Sequence, residues 1–346
     1  MHIALLAPAS RGAAHGNLDY DRLIVAALNA TGTDAVLHDI GGAHPLADRA
    51  AQIAARACVE TLPDTATILI DGNALPAFLP QSDALAARRA HVLIHRPVSI
   101  EQGLTGEDSA RLRAAEISLC RTLGRVIATS TAARDIIAAE SGINADSIAV
   151  VTPGTDPLPR AQGSGGTGCA ILAAGALIPR KGHDVLLRAL ARLFDLDWTL
   201  TILGDAAADP AHARDLAELA KQLGIARQVR FLDPAGAPAS AAESAWIGAD
   251  IFALASWWDG YGIDIARALR RGLPVAATNG GGIGALIAPE TGVLAKPGDS
   301  DALSKAMRRM IFDRALRTDM SDAAFTAGAA LPVWQGQASL LAAALA

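Results

Sequence analysis

The chain has 346 residues, a net charge of −5 and 51% hydrophobic residues. This length predicts two domains of roughly 150–180 residues each, and the hydrophobic content can fill two cores. The acidic balance argues against a nucleic-acid partner, because a surface that binds nucleic acid is basic.

Short apolar runs alternate with amphipathic stretches in the first half of the chain. Strands are predicted at residues 2–7, 35–39, 66–70, 91–94, 125–129 and 147–151. Helices are predicted between them at residues 21–30, 46–60, 108–122 and 132–141. This alternation is typical of βαβ units, which form a parallel sheet with helices on both faces.

Proline and glycine are concentrated between residues 153 and 168, and the same alternation restarts afterwards. The predicted organisation is therefore a first Rossmann-like domain (1–158), a flexible linker (159–168), a second Rossmann-like domain (169–330) and a final helix (331–346) that packs back on the first domain. Second-half helices are predicted at residues 183–194, 211–223, 241–248, 264–271 and 301–312. The fold class is α/β, with two doubly wound domains facing across a cleft.

The cysteines and the apolar windows bear on the cellular compartment. Cys58, Cys120 and Cys169 lie far apart without ligand spacing, which favours free thiols in a reducing cytosol over disulfides or a metal site. No window approaches the twenty apolar residues of a membrane span. A cytoplasmic protein with at most peripheral membrane contact is expected.

A glycine loop precedes the predicted helix at 264–271. Gly260 and Gly262 flank Tyr261 in this loop, and Ile263 follows directly. Free amides and the helix dipole converge at such a position, so the loop is suited to a diphosphate or a sugar. Gly281 and a neighbouring glycine follow a strand predicted at residues 274–277 and again permit close backbone approach.

Arg180 and Lys181 are adjacent cations just before another predicted helix. The helix dipole disfavours cations there unless an anion is bound, so we interpret them as an anion site. A solvated basic turn is the alternative interpretation.

Three further positions follow predicted strands in the first half. His95 follows the fourth strand, where it either meets a ligand or is a structural histidine. Asp71 follows the third strand and either lines the cleft or serves a turn. The first loop, residues 10–17, can wrap a phosphate or an acceptor through Gly16 and Asn17. It does not match the dinucleotide fingerprint, which disfavours a nicotinamide enzyme.

Taken in order, these segments resemble a family-four retaining glycosyltransferase (glycosyl transferases group 1) of GT-B architecture. The resemblance covers essentially the whole chain and is strongest over residues 169–312. Its landmarks are the segments at residues 95–97, 151–156, 175–182, 249–256, 259–262, 272–275, 281–282 and 291–299. Many landmarks in the expected order are far more specific than any single one.

The resemblance implies a nucleotide-diphosphate sugar donor, bound mainly by the second domain, and a glycan or lipid-linked acceptor, bound mainly by the first. It implies retention at the sugar carbon, no metal and no cofactor. The implied catalytic residues are His95, Asp259 and Lys181. The implied donor-binding residues are Arg180, Lys181, Gly260, Tyr261, Gly262, Ile263, Asp264, Arg267, Gly281 and Gly282.

The chain departs from the family pattern at three positions. Arg267 stands where the second glutamate of Glu-x7-Glu is expected, and a guanidinium cannot accept hydrogen bonds from ribose hydroxyls. Ala176 and Ala285 replace an arginine and an acidic residue. Asp264 is the candidate that takes over the ribose contact. These departures favour an alternative function: a catalytically impaired relative that binds nucleotide sugar or serves as a partner subunit. A sugar-nucleotide epimerase or a phosphorylase fits the fold but not the landmarks.

Overall fold

A computed structural model describes residues 1–9 and 16–346 of the chain. The described chain divides into two compact units. The first unit takes the chain up to Gly154 and again from Pro332 to Ala346, and the second takes Thr155–Leu331. Each unit contains a six-stranded sheet in which all neighbouring strands are parallel.

The first unit is built from six strands and five helices before residue 154. Its strands, which lie in the order β2-β1-β3-β4-β5-β6, are β1 (His2–Pro8), β2 (Asp34–Ile40), β3 (Thr67–Asp71), β4 (His91–Ile94), β5 (Val126–Ala128) and β6 (Ala149–Val150). Its helices are α1 (Gly16–Ala30), α2 (Arg49–Thr61), α3 (Ser82–Ala87), α4 (Gly106–Thr122) and α5 (Thr131–Ser141). The inner residues of β1, β3 and β4 are buried, as expected when helices cover both faces of a parallel sheet.

The second unit repeats this architecture. Its strands, in the order β12-β11-β10-β7-β8-β9, are β7 (Cys169–Ala174), β8 (Trp198–Leu203), β9 (Val229–Leu232), β10 (Ile251–Leu254), β11 (Val275–Thr278) and β12 (Gly292–Ala295). Its helices are α6 (His183–Ala191), α7 (Pro210–Gln222), α8 (Ala239–Ile247), α9 (Ile263–Arg270), α10 (Ser300–Phe312) and α11 (Arg314–Ala329). The α/β fold class with two doubly wound sheets is confirmed.

The last helix, α12 (Trp334–Leu345), belongs to the first unit. The indole of Trp334 packs edge-on against Tyr20 of α1, with ring centroids 5.4 Å apart. Gly154 lies so close beneath α12 that a Cβ there would come within 2.4 Å of the Trp334 Cα. The chain therefore crosses from the first unit to the second and back.

The segment predicted as a flexible linker is attached to the second unit, and the division falls four residues earlier than predicted. The amide of Ala161 donates to the Arg271 carbonyl at 2.8 Å, and the amide of Gln162 donates to the Ile247 carbonyl at 2.7 Å. The Asp250 carboxylate accepts from the amide of Ser164 at 3.2 Å. Because these backbone amides are hydrogen-bonded to the second unit, the segment is not a flexible linker. The prediction of a linker from its proline and glycine content was therefore wrong.

The strand order identifies the point in each sheet where the winding direction reverses. In the first unit this point lies between β1 and β3, and in the second it lies between β7 and β10. Open α/β sheets bind ligands beside the carboxyl ends of the strands at such a reversal. The residues that follow these strands are therefore the first candidates for a site. No helix of the described ranges is long and apolar enough to cross a membrane.

Candidate functional site

In the second unit, Lys181 is held beside the reversal point by two glycines in left-handed or unusual backbone conformations. Gly175, directly after β7, has φ +130°, and the aliphatic part of Lys181 passes over it: a Cβ at Gly175 would lie 2.9 Å from Cε. Gly182 has φ +62°, and a Cβ there would lie 2.0 Å from the Ala255 carbonyl oxygen. The lysine side chain is only 10% exposed. The alternative of a solvated basic turn is wrong for Lys181.

The Lys181 ammonium is surrounded by carboxylates. Its Nζ donates to Asp259 Oδ2 at 2.9 Å and lies 3.6 Å from Asp264 Oδ2. Arg180 Nη1 lies 4.0 Å from the same Asp259 oxygen and donates to the Trp258 carbonyl at 3.1 Å. Burial alone raises the pKa of Asp259, but the charges of Lys181 and Arg180 outweigh it and hold this pKa at about 2.

The Asp259 carboxylate also accepts hydrogen bonds from two backbone amides of the glycine loop. Its Oδ1 accepts from the backbone N–H of Gly262 at 2.9 Å and from that of Tyr261 at 3.4 Å. The sequence predicted that these amides hold a diphosphate. In the structure, the Asp259 carboxylate contacts both of these amides and also the cationic side chains of Lys181 and Arg180. Asp259 therefore stands where an anionic ligand was expected.

The glycines that follow β11 pack on this loop. The Asp259 amide donates to the Gly280 carbonyl at 3.2 Å, and the Gly282 amide donates to the Asp259 carbonyl at 2.9 Å. A Cβ at Gly281 would lie 2.2 Å from the Asp259 carbonyl oxygen, and one at Gly282 would lie 2.2 Å from that of Gly260. These glycines are needed for loop-on-loop packing, and their contact with a donor stays a prediction.

The helix α9 carries the remaining predicted donor residues. Gly262, with φ +91°, precedes it, and half-buried Ile263 opens its first turn. The Asp264 carboxylate forms an ion pair with the Lys181 ammonium. Arg267 lies three residues further along and is exposed. The structure thus keeps a cation where the family pattern has a carboxylate.

In the first unit, His95 meets two buried aspartates. Its Nε2 lies 3.2 Å from Asp21 Oδ1 and 3.0 Å from Asp71 Oδ2, and both carboxylates are fully buried. The Tyr20 ring packs edge-on against the imidazole at 4.9 Å. Asp71 ends β3 and Asp21 lies in α1, so the group sits at the reversal point of the first sheet.

Burial and neighbouring charges have opposing effects on the pKa values of these three side chains. Burial lowers the pKa of His95, but the charges and hydrogen bonds of Asp21 and Asp71 together raise it to about 9. Burial and the neighbouring charge of Asp71 raise the pKa of Asp21 to about 7. Burial also raises the pKa of Asp71, but its hydrogen bonds and the charge of His95 bring it below the usual value.

Buried polar contacts also fix the chain just beyond His95. Arg96 donates to Asn73 Oδ1 at 3.1 Å and forms an ion pair with Glu101. The Val98 amide donates to Glu116 Oε1 at 3.3 Å. These contacts fix the backbone that follows His95.

Glu116→Gln is expected to stabilise the protein at alkaline pH. Burial raises the pKa of Glu116 to about 8, above the ordinary 4.5. The folded chain keeps a proton that the unfolded chain releases, so this stability is full below pH 4.5 and is lost as pH rises through 8. Glutamine still accepts from Val98 but cannot ionise. In urea unfolding, the stability of the variant relative to the native protein should be about 3–4 kcal/mol more favourable at pH 8.5 than at pH 5. Equal differences at both pH values would contradict this assignment.

One group of side chains within the described ranges has the composition of a metal site. The donor atoms of Asp21, Asp71 and His95 lie within 4.8 Å of one another. His95 Nε2 is hydrogen-bonded to Asp21 Oδ1 at 3.2 Å and lies 3.0 Å from Asp71 Oδ2, while Asp21 Oδ2 and Asp71 Oδ2 have no hydrogen-bond partner among the described residues. The absence of a metal requirement stays a prediction.

Gly16 and Asn17 form the first turn of α1. The loop before them, residues 10–15, lies outside the described residues, so the phosphate or acceptor role stays a prediction. Sequence reasoning missed Asp21 altogether and left Asp71 open. The available signal was an acidic residue on the apolar side of a helix, between buried Tyr20 and Ile24.

Comparisons with known proteins bear on both units. Residues 156–326 match the family described as "Glycosyl transferases group 1". The D-inositol 3-phosphate glycosyltransferase of Corynebacterium diphtheriae is 32% identical over 199 residues, which are 52% of this chain and 46% of that protein. The Rhodococcus opacus enzyme of the same name is 30% identical over 243 residues, 65% of this chain and 54% of that protein. The chain thus spans about half the length of these relatives.

Two solved structures resemble almost the whole chain. Sucrose-phosphate synthase from Thermosynechococcus elongatus has a TM-score of 0.79 at 18% identity, covering 99% of this chain and 98% of that one. HepE from Anabaena, solved in complex with UDP-glucose, has a TM-score of 0.79 at 18% identity, covering 100% and 99%. At this identity the likeness shows the fold, which is GT-B.

Proposed function

Since residues 156–326 belong to the glycosyl transferases group 1 family, we propose that the chain moves a hexose from a nucleotide-diphosphate sugar to a glycan or lipid-linked acceptor. The transfer retains the anomeric configuration and serves polysaccharide or glycolipid synthesis. It takes place in the cytoplasm and uses neither metal nor cofactor. The observation that carries this proposal is the pair Arg180 and Lys181, held at the reversal point of the second sheet.

The cation pair fits the chemistry of a departing nucleoside diphosphate. In the transfer, the bond between the anomeric carbon and the β-phosphate oxygen breaks while the bond to the acceptor oxygen forms. The acceptor hydroxyl gives its proton to the departing phosphate. Negative charge grows on that phosphate, and a buried ammonium at this point stabilises it more in the transition state than in the ground state. Lys181 has this role, with Arg180 beside it.

A donor panel tests the proposal. The protein is incubated with uridine, guanosine and adenosine diphosphate sugars, each with glycan, lipid-linked and inositol phosphate acceptors, and release of the nucleoside diphosphate is followed. Chelator-treated protein should give the same rate. Release with one donor class is the expected result, and proton NMR of the product gives the anomeric configuration. No release with any combination would count against the enzyme, whereas an inverted product would remove only retention.

Arg267 favours one alternative, a non-catalytic relative that binds nucleotide sugar or supports an active partner. Its exposed guanidinium replaces the carboxylate expected for the ribose hydroxyls. Under this alternative the native chain binds nucleoside diphosphate without turnover, and Arg267→Glu creates activity. Robust turnover by the native chain would end the alternative.

A further inference from the structure

Two phenylalanine side chains of the second unit project into solvent. Phe194, in the turn between α6 and β8, is 85% exposed, and Phe312, the last residue of α10, is 78% exposed. The chain has only six phenylalanines, and Phe78 and Phe252 are fully buried. Single exposed apolar residues are ordinary on a protein surface, but neighbouring ones form a patch that can bind a partner.

An ion pair brings the segments that carry these two rings together. Asp195, next to Phe194, accepts two hydrogen bonds from the Arg308 guanidinium, each at 2.7 Å. Arg308 lies one turn before Phe312 on the exposed side of α10. The two phenylalanines are therefore close neighbours on the surface of the second unit.

This surface lies at the end of the second unit that is remote from the cation pair. Phe194 precedes β8, and α10 runs back from the carboxyl end of β12, so both rings lie where the parallel strands begin. Lys181 follows β7 and lies where these strands end. A partner bound by the two rings therefore leaves the surroundings of Lys181 uncovered.

The segments that carry the two rings are basic. Residues 188–197 and 301–314 hold six cations and four carboxylates, a local charge of +2, whereas the whole chain carries −5. Two of the carboxylates are already neutralised, because Asp301 pairs with Arg192 and Asp195 pairs with Arg308. Within the described part of the chain, the other four cations are exposed and form no ion pair: Arg188, Lys305, Arg309 and Arg314. An anionic partner is therefore favoured here.

We propose that this surface, which we call the phenylalanine edge, docks on a membrane of anionic lipids. The phenylalanine edge consists of Phe194, Phe312, Arg188, Lys305, Arg309 and Arg314. The two rings enter the boundary between headgroups and acyl chains, and the cations pair with lipid phosphates. Projecting rings fit a deformable lipid layer, whereas a rigid protein partner needs a matching pocket for each ring. The docking is independent of the proposed function, since it uses none of the residues around Lys181.

Sedimentation with unilamellar vesicles tests the docking without donor or acceptor. The native chain should sediment with vesicles of phosphatidylcholine and phosphatidylglycerol in equal parts. It should stay in solution with vesicles of phosphatidylcholine alone, because these carry no net charge. High salt should release the bound protein, since it screens the attraction between the cations and the lipid phosphates.

The double variant Phe194→Ser, Phe312→Ser tests the contribution of the rings. Its affinity for the anionic vesicles should fall about 100-fold, because each ring buried in lipid contributes about tenfold. Both native rings are exposed, so the variant should keep the native unfolding temperature and the native affinity for nucleoside diphosphates. Ile53→Ser is the matched control, since Ile53 is an exposed apolar residue of α2 in the first unit.

Lys305→Glu tests the contribution of the cations. This exposed residue lies in the middle of α10, and reversing its charge should weaken binding to the anionic vesicles about tenfold. Arg49→Glu, at the exposed start of α2, makes the same change of net charge in the first unit and should leave vesicle binding unchanged.

Three results would overturn the proposal. The first is a native chain that does not sediment with the anionic vesicles. The second is vesicle binding that survives in both the double phenylalanine variant and Lys305→Glu. The third is a native dimer, seen by light scattering without lipid, that the double variant dissociates, because the surface would then join two copies of the chain. Absence of sugar transfer would defeat the proposed function and leave the vesicle result standing.

Discussion

Lys181→Ala is expected to weaken binding of a nucleoside diphosphate by about 1.5–3 kcal/mol and to lower kcat by about 10²–10³-fold. The substitution removes a buried ammonium whose stem is packed over Gly175 and whose position is fixed by the backbone on both sides. An exposed lysine would reorganise around a ligand and contribute less. A fixed, partly desolvated cation contributes more because it is already in place when charge develops.

Calorimetry with uridine, guanosine and adenosine diphosphates gives the affinity for Lys181→Ala. The matched control is Lys221→Ala, since Lys221 lies exposed on α7 and pairs with Glu218 three residues away. Unchanged affinity in the Lys181 variant would take this residue out of the site. A loss of equal size in the control would point to a general effect of net charge.

Asp259→Asn is expected to act on binding and on catalysis in opposite directions. Asparagine keeps an oxygen for the amides of Tyr261 and Gly262 but removes the charge that neutralises Lys181 and Arg180. A diphosphate no longer competes with a carboxylate for these cations, so its affinity should rise about tenfold. Turnover should fall about 100-fold, because the resemblance assigns Asp259 to the donor sugar.

The pKa of Asp259 makes this prediction sharper. Since that pKa is held at about 2, the native carboxylate is ionised at every pH between 5 and 9. The affinity difference between Asp259→Asn and the native protein should therefore be the same across this range. Asp301→Asn, at an exposed pair with Arg192, is the control. Weaker diphosphate binding by the Asp259 variant would show that the carboxylate does not compete with the ligand.

The fold could be predicted from the sequence because the strands of a parallel sheet with helices on both faces are continuous apolar runs. β1 and β10 are examples. The helix α11 was not predicted, since only Met320, Ala324 and Gly328 of it are buried and its sequence shows no long apolar face. The linker was misread because proline and glycine indicate turns whether or not the turns are attached to a domain.

The site was predictable only where its residues are close along the chain. The glycine loop and the cation pair are local patterns that the sequence predicted, and their contact with a donor stays a prediction. The contact between Asp21 and His95 joins residues 74 positions apart, and only the sheet order brings them together. Likewise, the sequence placed Asp259 in the loop but could not show that its carboxylate turns back onto its own amides. A side chain's direction depends on packing that no local pattern records.

The return of α12 to the first unit has a consequence for synthesis on the ribosome. Trp334 covers Tyr20, yet 313 residues of chain separate them, including all of the second unit. The nascent first unit must wait for the whole second unit to emerge before this covering helix arrives. Until then the tyrosine that packs against His95 lacks its aromatic neighbour, so the surroundings of the histidine are completed only after the second unit has been synthesised.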